Sequence, residues 1–138
     1  MSEPTEETIE AIRARHAAIV PGPWRWEINR KTKRVQLCGG VPRFDLTVMD
    51  FVRYGLNSAA PRFQIEHRPN LNIMHRAEEF AVAQPGREHH ADWFALIDQP
   101  DARFIESAPN DVRVLLAEID RLRDELASTR VLTAPTDR

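Results

Sequence analysis

Cysteine is nearly absent from this chain. Cys38 is the only one, so no internal disulfide can form and packing must do the whole work of stabilisation. One lone thiol also fits a reducing compartment, and a cytoplasmic location is expected. Lysine is almost as scarce. Only Lys31 and Lys33 occur, so 17 of the 19 basic residues are arginine. That bias reads either as a GC-rich coding sequence or as selection for forked contacts to anions. No apolar run approaches the roughly 20 residues that span a bilayer. The N-terminal stretch MSEPTEETIEAIRARH is charged where a signal peptide would be apolar. No membrane partner is expected.

Motifs that specify a reaction are missing too. There is no HExxH, no CxxC pair and no GxxxxGK[ST]. His89 and His90, with Glu88 and Asp92, are potential metal ligands. Adjacent histidines on a helix point about 100° apart, however, so no metal and no cofactor are expected. Cys38 precedes Gly39-Gly40, and nothing in its local pattern lowers its pKa. It reads as a small strand residue rather than a nucleophile. Acids are plentiful, yet no spacing singles out an acid–base pair. A non-enzymatic protein is therefore expected.

What is present is an ordinary globular composition. The chain has 138 residues, 42% hydrophobic and 29% charged, with net charge −2. This suits one domain with a real core, expected over residues 1–128, followed by a disordered tail at 129–138. Charge is uneven along it. From Arg25 to Arg76 there are ten Lys/Arg against four acids (Glu27, Asp45, Asp50 and Glu66), so the middle is about +6 and the flanks are acidic. Such a middle either faces an anionic ligand or is a solvated face balanced by the helices.

Hydrophobic period outlines an α+β fold. Thr5 to Ala18 reads as a helix with acids at its start and Ile9, Ile12, His16 and Ile19 as its stripe. Pro21-Gly22-Pro23 turns the chain. Strands are expected at Trp24–Ile28, from Val35 and Leu37 to Gly39-Gly40, at Phe44–Arg53, Arg62–His67 and Leu71–His75, with turns at Asn29–Thr32 and around Gly55. Connections this short suit an antiparallel sheet of four to five strands. Weak helix is expected at Arg76–Val82, and helix at His90–Ile97, Asp101–Ala108 and Asn110–Ser128, broken at Pro109 and capped by Asn110 or Asp111. Helices are expected to cover the sheet face carrying Trp24, Trp26, Ile28, Val35, Leu37, Phe63, Ile65, Leu71 and Ile73. The other face, with Arg25, Glu27, Arg34, Gln36, Arg62, Gln64, Asn72 and Arg76, should stay open. In the third strand Asp50 interrupts the row Phe44, Leu46, Val48, Val52. A buried carboxylate is costly unless paired, so either a bulge re-aims Asp50 or a partner meets it.

Two surfaces suggest function. Arginines interleave with aromatics at Trp26, Arg34, Arg53, Tyr54, Arg62 and Phe63. Arg34, Arg53 and Arg62 are candidates to grip phosphate, Tyr54 and Trp26 to stack, and Asp50 to orient an arginine or accept from a sugar hydroxyl. The aromatics are alternatively plain core. The second surface is a heptad seam at Val112, Leu115, Ile119, Leu122 and Leu126, flanked by Arg121, Arg123, Asp124 and Glu125. It either packs on its own sheet or pairs with a second copy, and a homodimer or higher oligomer built by both is expected.

Two end signatures add a resemblance. One is Pro21-Gly22-Pro23-Trp24 after a short helix. The other is Asp101-Ala102-Arg103-Phe104-Ile105, then Asp111-Val112, Leu115-Leu116-Ala117-Glu118 and Arg121-Leu122-Arg123. Together they resemble small phage and prophage accessory proteins of the Ead-like early type. The middle, Thr47 to Gly55 and Pro61-Arg62-Phe63, is similar to actinobacterial and actinophage proteins with the same ends. The resemblance implies a mobile-element setting and no particular catalytic residue. Three functions follow as expectations: capture of an anionic, nucleotide-like small molecule; binding of a host protein through the helices; and, third, nucleic-acid binding.

Overall fold

The computed structural model describes residues 6–40, 45–54, 56, 58–66, 73–90 and 92–133. In chain order its elements are α1 (Glu6–Ala17), β1 (Arg25–Ile28), β2 (Val35–Gly39), β3 (Leu46–Tyr54), β4 (Ser58–Gln64), β5 (Met74–Arg76), a 3-10 turn (Ala77–Phe80), β6 (Ala81–Ala83), a second 3-10 turn (Glu88–His90), β7 (Ala95–Ile97) and α2 (Pro100–Thr133). Strands β1 to β5 form one antiparallel sheet in sequence order, and β6 pairs with β7. The fold is α+β. Two compact units carry these elements: Ala18–Phe104, and a helical unit made of α1 and the part of α2 from Ile105 onward.

The β1–β2 hairpin closes on Asn29. Its Oδ1 accepts from the N–H groups of Lys31 and Thr32, both at 3.0 Å, and Lys33 takes a left-handed φ of 65°. Asparagine suits this place because its short side chain can stand in for a backbone acceptor. Beyond the hairpin, Leu37 pairs with Met49 but Cys38 pairs with Thr47, so Val48 is an extra residue in β3. One extra residue reverses the alternation of side chains on the two sides of the bulge. Leu46 and Val48 therefore join Val20 and Leu37 in a buried cluster, with Trp24 and Met49 against it. Asp50 is left on the opposite face with Gln36 and Arg62.

The turn after α1 seals that cluster. Trp24 Nε1 donates to the Val20 carbonyl at 2.8 Å, and Gly40 N–H donates to the Pro21 carbonyl at 2.8 Å. A Cβ on Gly39 would lie 2.6 Å from the Pro21 oxygen and 2.7 Å from Val20 Cγ1, so only glycine allows this approach. A second cluster gathers Phe63, Ala77 and Ala102, with Met49, Phe80 and Ile97 packed on it. The first turn of α2 is pinned here. Gln99 Oε1 accepts from Ala102 N–H at 2.9 Å as the helix cap, and buried Asp101 accepts from Val20 N–H at 2.8 Å and from Gln99 Nε2 at 3.1 Å. Pro100 at the first helical position has no N–H to satisfy there.

Several expectations are corrected. Residues 95–97 form a strand, not the end of a helix, because Ala95, Leu96 and Ile97 find backbone partners in Ala83, Val82 and Ala81. The weak helix at Arg76–Val82 is a 3-10 turn followed by β6. β4 begins at Ser58 and contains Pro61, which is tolerated because the β5 ladder starts only at Arg62. β5 is confined to Met74–Arg76, and Ile73 precedes it. Pro109 does not break α2. It forfeits one backbone bond while the ladder continues on either side, and helix extends to Thr133 through part of the expected tail. The face expected to be covered is closed only at its centre. Trp26, Ile28, Ile65 and Ile73 are exposed: the buried clusters reach Leu37, Met49 and Phe63, but not edge strand β1 nor Ile65 and Ile73 just beyond the ends of β4 and β5. Phe44, Gly55, His67 and residues 68–72 lie outside the described residues.

Candidate functional site

Pairing register lines up one polar residue per strand across the sheet face expected to stay open: Glu27, Gln36, Asp50, Arg62 and Arg76. The face is not open throughout, since Gln64, two residues from Arg62, is buried. Asp50 at the centre is fully buried. Arg62 lies directly opposite and grips it with a fork, Nε to Oδ1 at 2.8 Å and Nη2 to Oδ2 at 2.6 Å. Arg34 adds a bond from Nη2 to Oδ2 at 3.2 Å. The Asp50 hydrogen bond raises the Arg62 pKa above its ordinary value despite partial burial. Asp50 thus shows both features its position called for, a bulge that re-aims it and a basic partner.

Toward β1 the row continues through hydrogen bonds. Gln36 Nε2 donates to Glu27 Oε2 at 2.9 Å, and the Cys38 thiol donates to the same oxygen at 3.4 Å. These bonds, Gln36 first, hold the Glu27 carboxyl below its ordinary range. Burial, then the bond to Glu27, pushes the Cys38 thiol up to about 11, far from a reactive thiolate. Arg25 pairs with Asp45 and Glu27. A pocket of about 340 Å3 opens over this corner, lined by Glu27, Ile28, Asn29, Arg34 and Gln36.

Of the residues expected to bind a ligand, the structure brings Arg34, Asp50 and Arg62 together. Trp26 falls in register with Leu37 and Arg53 alternates with Val52, which puts both on the other face of the sheet. Tyr54 ends β3 opposite Ser58, and its side chain lies outside the described residues. Phe63 is core. The rings of His89 and His90 sit 4.1 Å apart in a 3-10 turn, and among the described residues no group of three His, Cys, Asp or Glu is placed to hold a metal ion. None of the described helices is long and apolar enough to cross a membrane.

No family model, curated protein or solved structure matches the chain.

The helical unit supplies the second surface. Arg15 of α1 clamps buried Asp111 of α2, Nε to Oδ2 at 3.0 Å and Nη2 to Oδ1 at 2.6 Å. Asp111 is therefore an ion-pair residue rather than the expected cap, and Asn110 accepts from Arg113 instead. Ile12, one turn before Arg15, is buried. A different stripe of α2 is uncovered: Ile105, Val112, Leu116, Ile119, Leu122 and Leu126 are each between 39% and 55% exposed. Leu115, expected in the seam, is half-buried. Along the helix, Arg121 binds Glu118 at 2.6 Å and Glu125 at 2.9 Å, and the bond from Arg121 lowers the Glu118 pKa. Sequence reasoning missed the Asp111–Arg15 and Asp101–Val20 anchors. Both acids sit at positions that favour a helix start, and only the tertiary partner distinguishes a cap from a clamp.

Proposed function

We propose that this is a non-catalytic interaction protein that works through α2, docking its apolar stripe against a helical protein partner. The exposed run from Ile105 to Leu126 carries the reading. A row of uncovered branched side chains on one face of a helix is costly in water and marks a binding surface. The sheet face supports the anion-capture reading less well. Arg34 and Arg62 both spend hydrogen bonds on Asp50, and ionised Glu27 lines the adjoining pocket, so an incoming phosphate meets charges already matched. The resemblance to phage accessory proteins fits a role of this kind, in which a small protein occupies a host protein rather than transforming a substrate.

The test replaces Leu116 and Leu122 by Asp. Partners recovered by the tagged full-length chain, further copies of itself included, are quantified for the variant and the parent. The expected result is loss of stripe-dependent partners with circular dichroism unchanged. Identical recovery by both proteins overturns the reading.

The pocket keeps a second reading open. Its volume of about 340 Å3 suits a small ligand, and the half-exposed Arg34 side chain offers a donor fork to a nucleotide-like anion. Calorimetric titration against mono-, di- and cyclic nucleotides decides it: saturable binding lost in Arg34→Ala supports capture, and flat titrations discard it.

A further inference from the structure

We infer that the occupant of the α2 stripe is a second copy of this chain, paired with it in parallel as a two-stranded coiled coil. The inference rests on the interaction reading above and names its partner.

The heptad register points to two parallel strands. Ile105, Val112, Ile119 and Leu126 recur at intervals of seven, and Ala108, Leu115, Leu122 and Thr129 form the companion set. The first set is rich in β-branched residues and the second holds leucine at its centre. That distribution favours two strands over three or four.

Charge points the same way. In the first heptad the flanking positions are Phe104 and Pro109, which carry no charge. From there on one flank is Asp111, Glu118 and Glu125, all acidic, and the other is Leu116, Arg123 and Arg130. In a parallel pair each flank meets the opposite flank of the partner, offset by five residues. Glu118 then faces Arg123 of the second copy, and Glu125 faces Arg130. An antiparallel pair would set acid against acid and arginine against arginine. Arg123 and Arg130 are exposed, and among the described residues neither has an acidic partner within its own chain. Glu118 and Glu125 both bond Arg121 of their own chain, so a second copy's arginines would share these carboxylates with it. Asp111, the one flanking acid whose counterpart is apolar, is the one already bound by Arg15.

The experiment is sedimentation equilibrium on the full chain with two charge-reversed variants, Arg123→Glu/Arg130→Glu and Glu118→Arg/Glu125→Arg. Wild type should be a dimer. Each variant alone should dimerise roughly tenfold more weakly or worse, and an equimolar mixture should recover wild-type affinity as a heterodimer. Should a reversed variant fail to fold by circular dichroism, Thr129→Cys gives an independent answer. Mild oxidation should link two copies of that variant through the new seam thiol, while buried Cys38 stays unlinked in the parent. Three outcomes each overturn the inference: monomeric wild type, charge variants that self-associate as tightly as the parent, or a folded Thr129→Cys variant that forms no disulfide-linked dimer. Monomeric wild type that still loses another protein on Leu116→Asp/Leu122→Asp would overturn self-pairing and leave the interaction reading standing.

Discussion

At the residue scale, the energetics turn on how each charge reaches water. Asp50 is fully buried, whereas the side chains of Arg62 and Arg34 are 29% and 56% exposed. Removing Asp50 leaves guanidinium groups that can turn outward. Removing Arg62 leaves a buried carboxylate held by one longer bond. Arg62→Ala should therefore cost about 3–5 kcal/mol and Asp50→Ala less, an ordering that urea denaturation of both variants checks. Equal stability of Arg62→Ala and wild type would return Arg62 to the role of a ligand-binding side chain. Gly39→Ala forces a Cβ onto backbone, and overpacking of that kind should cost about 1–3 kcal/mol, read in the same assay. For Cys38, the raised pKa and burial predict slow alkylation by iodoacetamide near neutral pH and fast alkylation once denaturant is added. Equal rates in both conditions would contradict its place behind Glu27. The Asp50 anomaly was visible in the sequence because one acid stood among Val48 and Val52. The two arginines that satisfy it were only part of a list of basic residues until strand register chose them.

At the element scale, α2 was half legible. Its amphipathic pattern and starting point near Pro100 and Asp101 are plain, but Pro109 looked like a stop. Local propensity counts the lost hydrogen bond and the steric clash, and it cannot count Ala102 in the sheet core or Asp111 in the grip of Arg15, which hold helix on both sides of the proline. The strain should remain measurable. Pro109→Ala is expected to stabilise the chain by about 1–3 kcal/mol, seen as a higher melting midpoint at the helical ellipticity minimum. A lower midpoint would mean that the proline sets a needed bend. The β6–β7 hairpin was illegible for a different reason. Three-residue strands have too short a period to declare themselves, and Trp93, Phe94 and Ile97 satisfy helical spacing equally well.

At the scale of the whole molecule, pH should act through carboxylates with depressed pKa values: exposed Glu27, Glu79 and Glu88, and part-buried Glu118. A folded-state value below the unfolded one stabilises the protein above the ordinary carboxylate pKa, and that stability is lost as pH falls through the folded value. The melting midpoint is thus expected to hold between about pH 5 and pH 7 and to drop below about pH 4. A midpoint that rises on acidification would refute the linkage. The class and most of the sheet were legible from residue pattern, because period two, Gly-Pro turns and short connections leave an antiparallel meander as the economical solution. So was the heptad on α2, since side-chain spacing is a local property. Tertiary structure alone decided what each charge and apolar stripe does. Val48 bulges only because β2 and β3 meet in one register. That register delivers Arg62 to Asp50 and puts Trp26 and Arg53 on the other face, while the α2 stripe stays exposed.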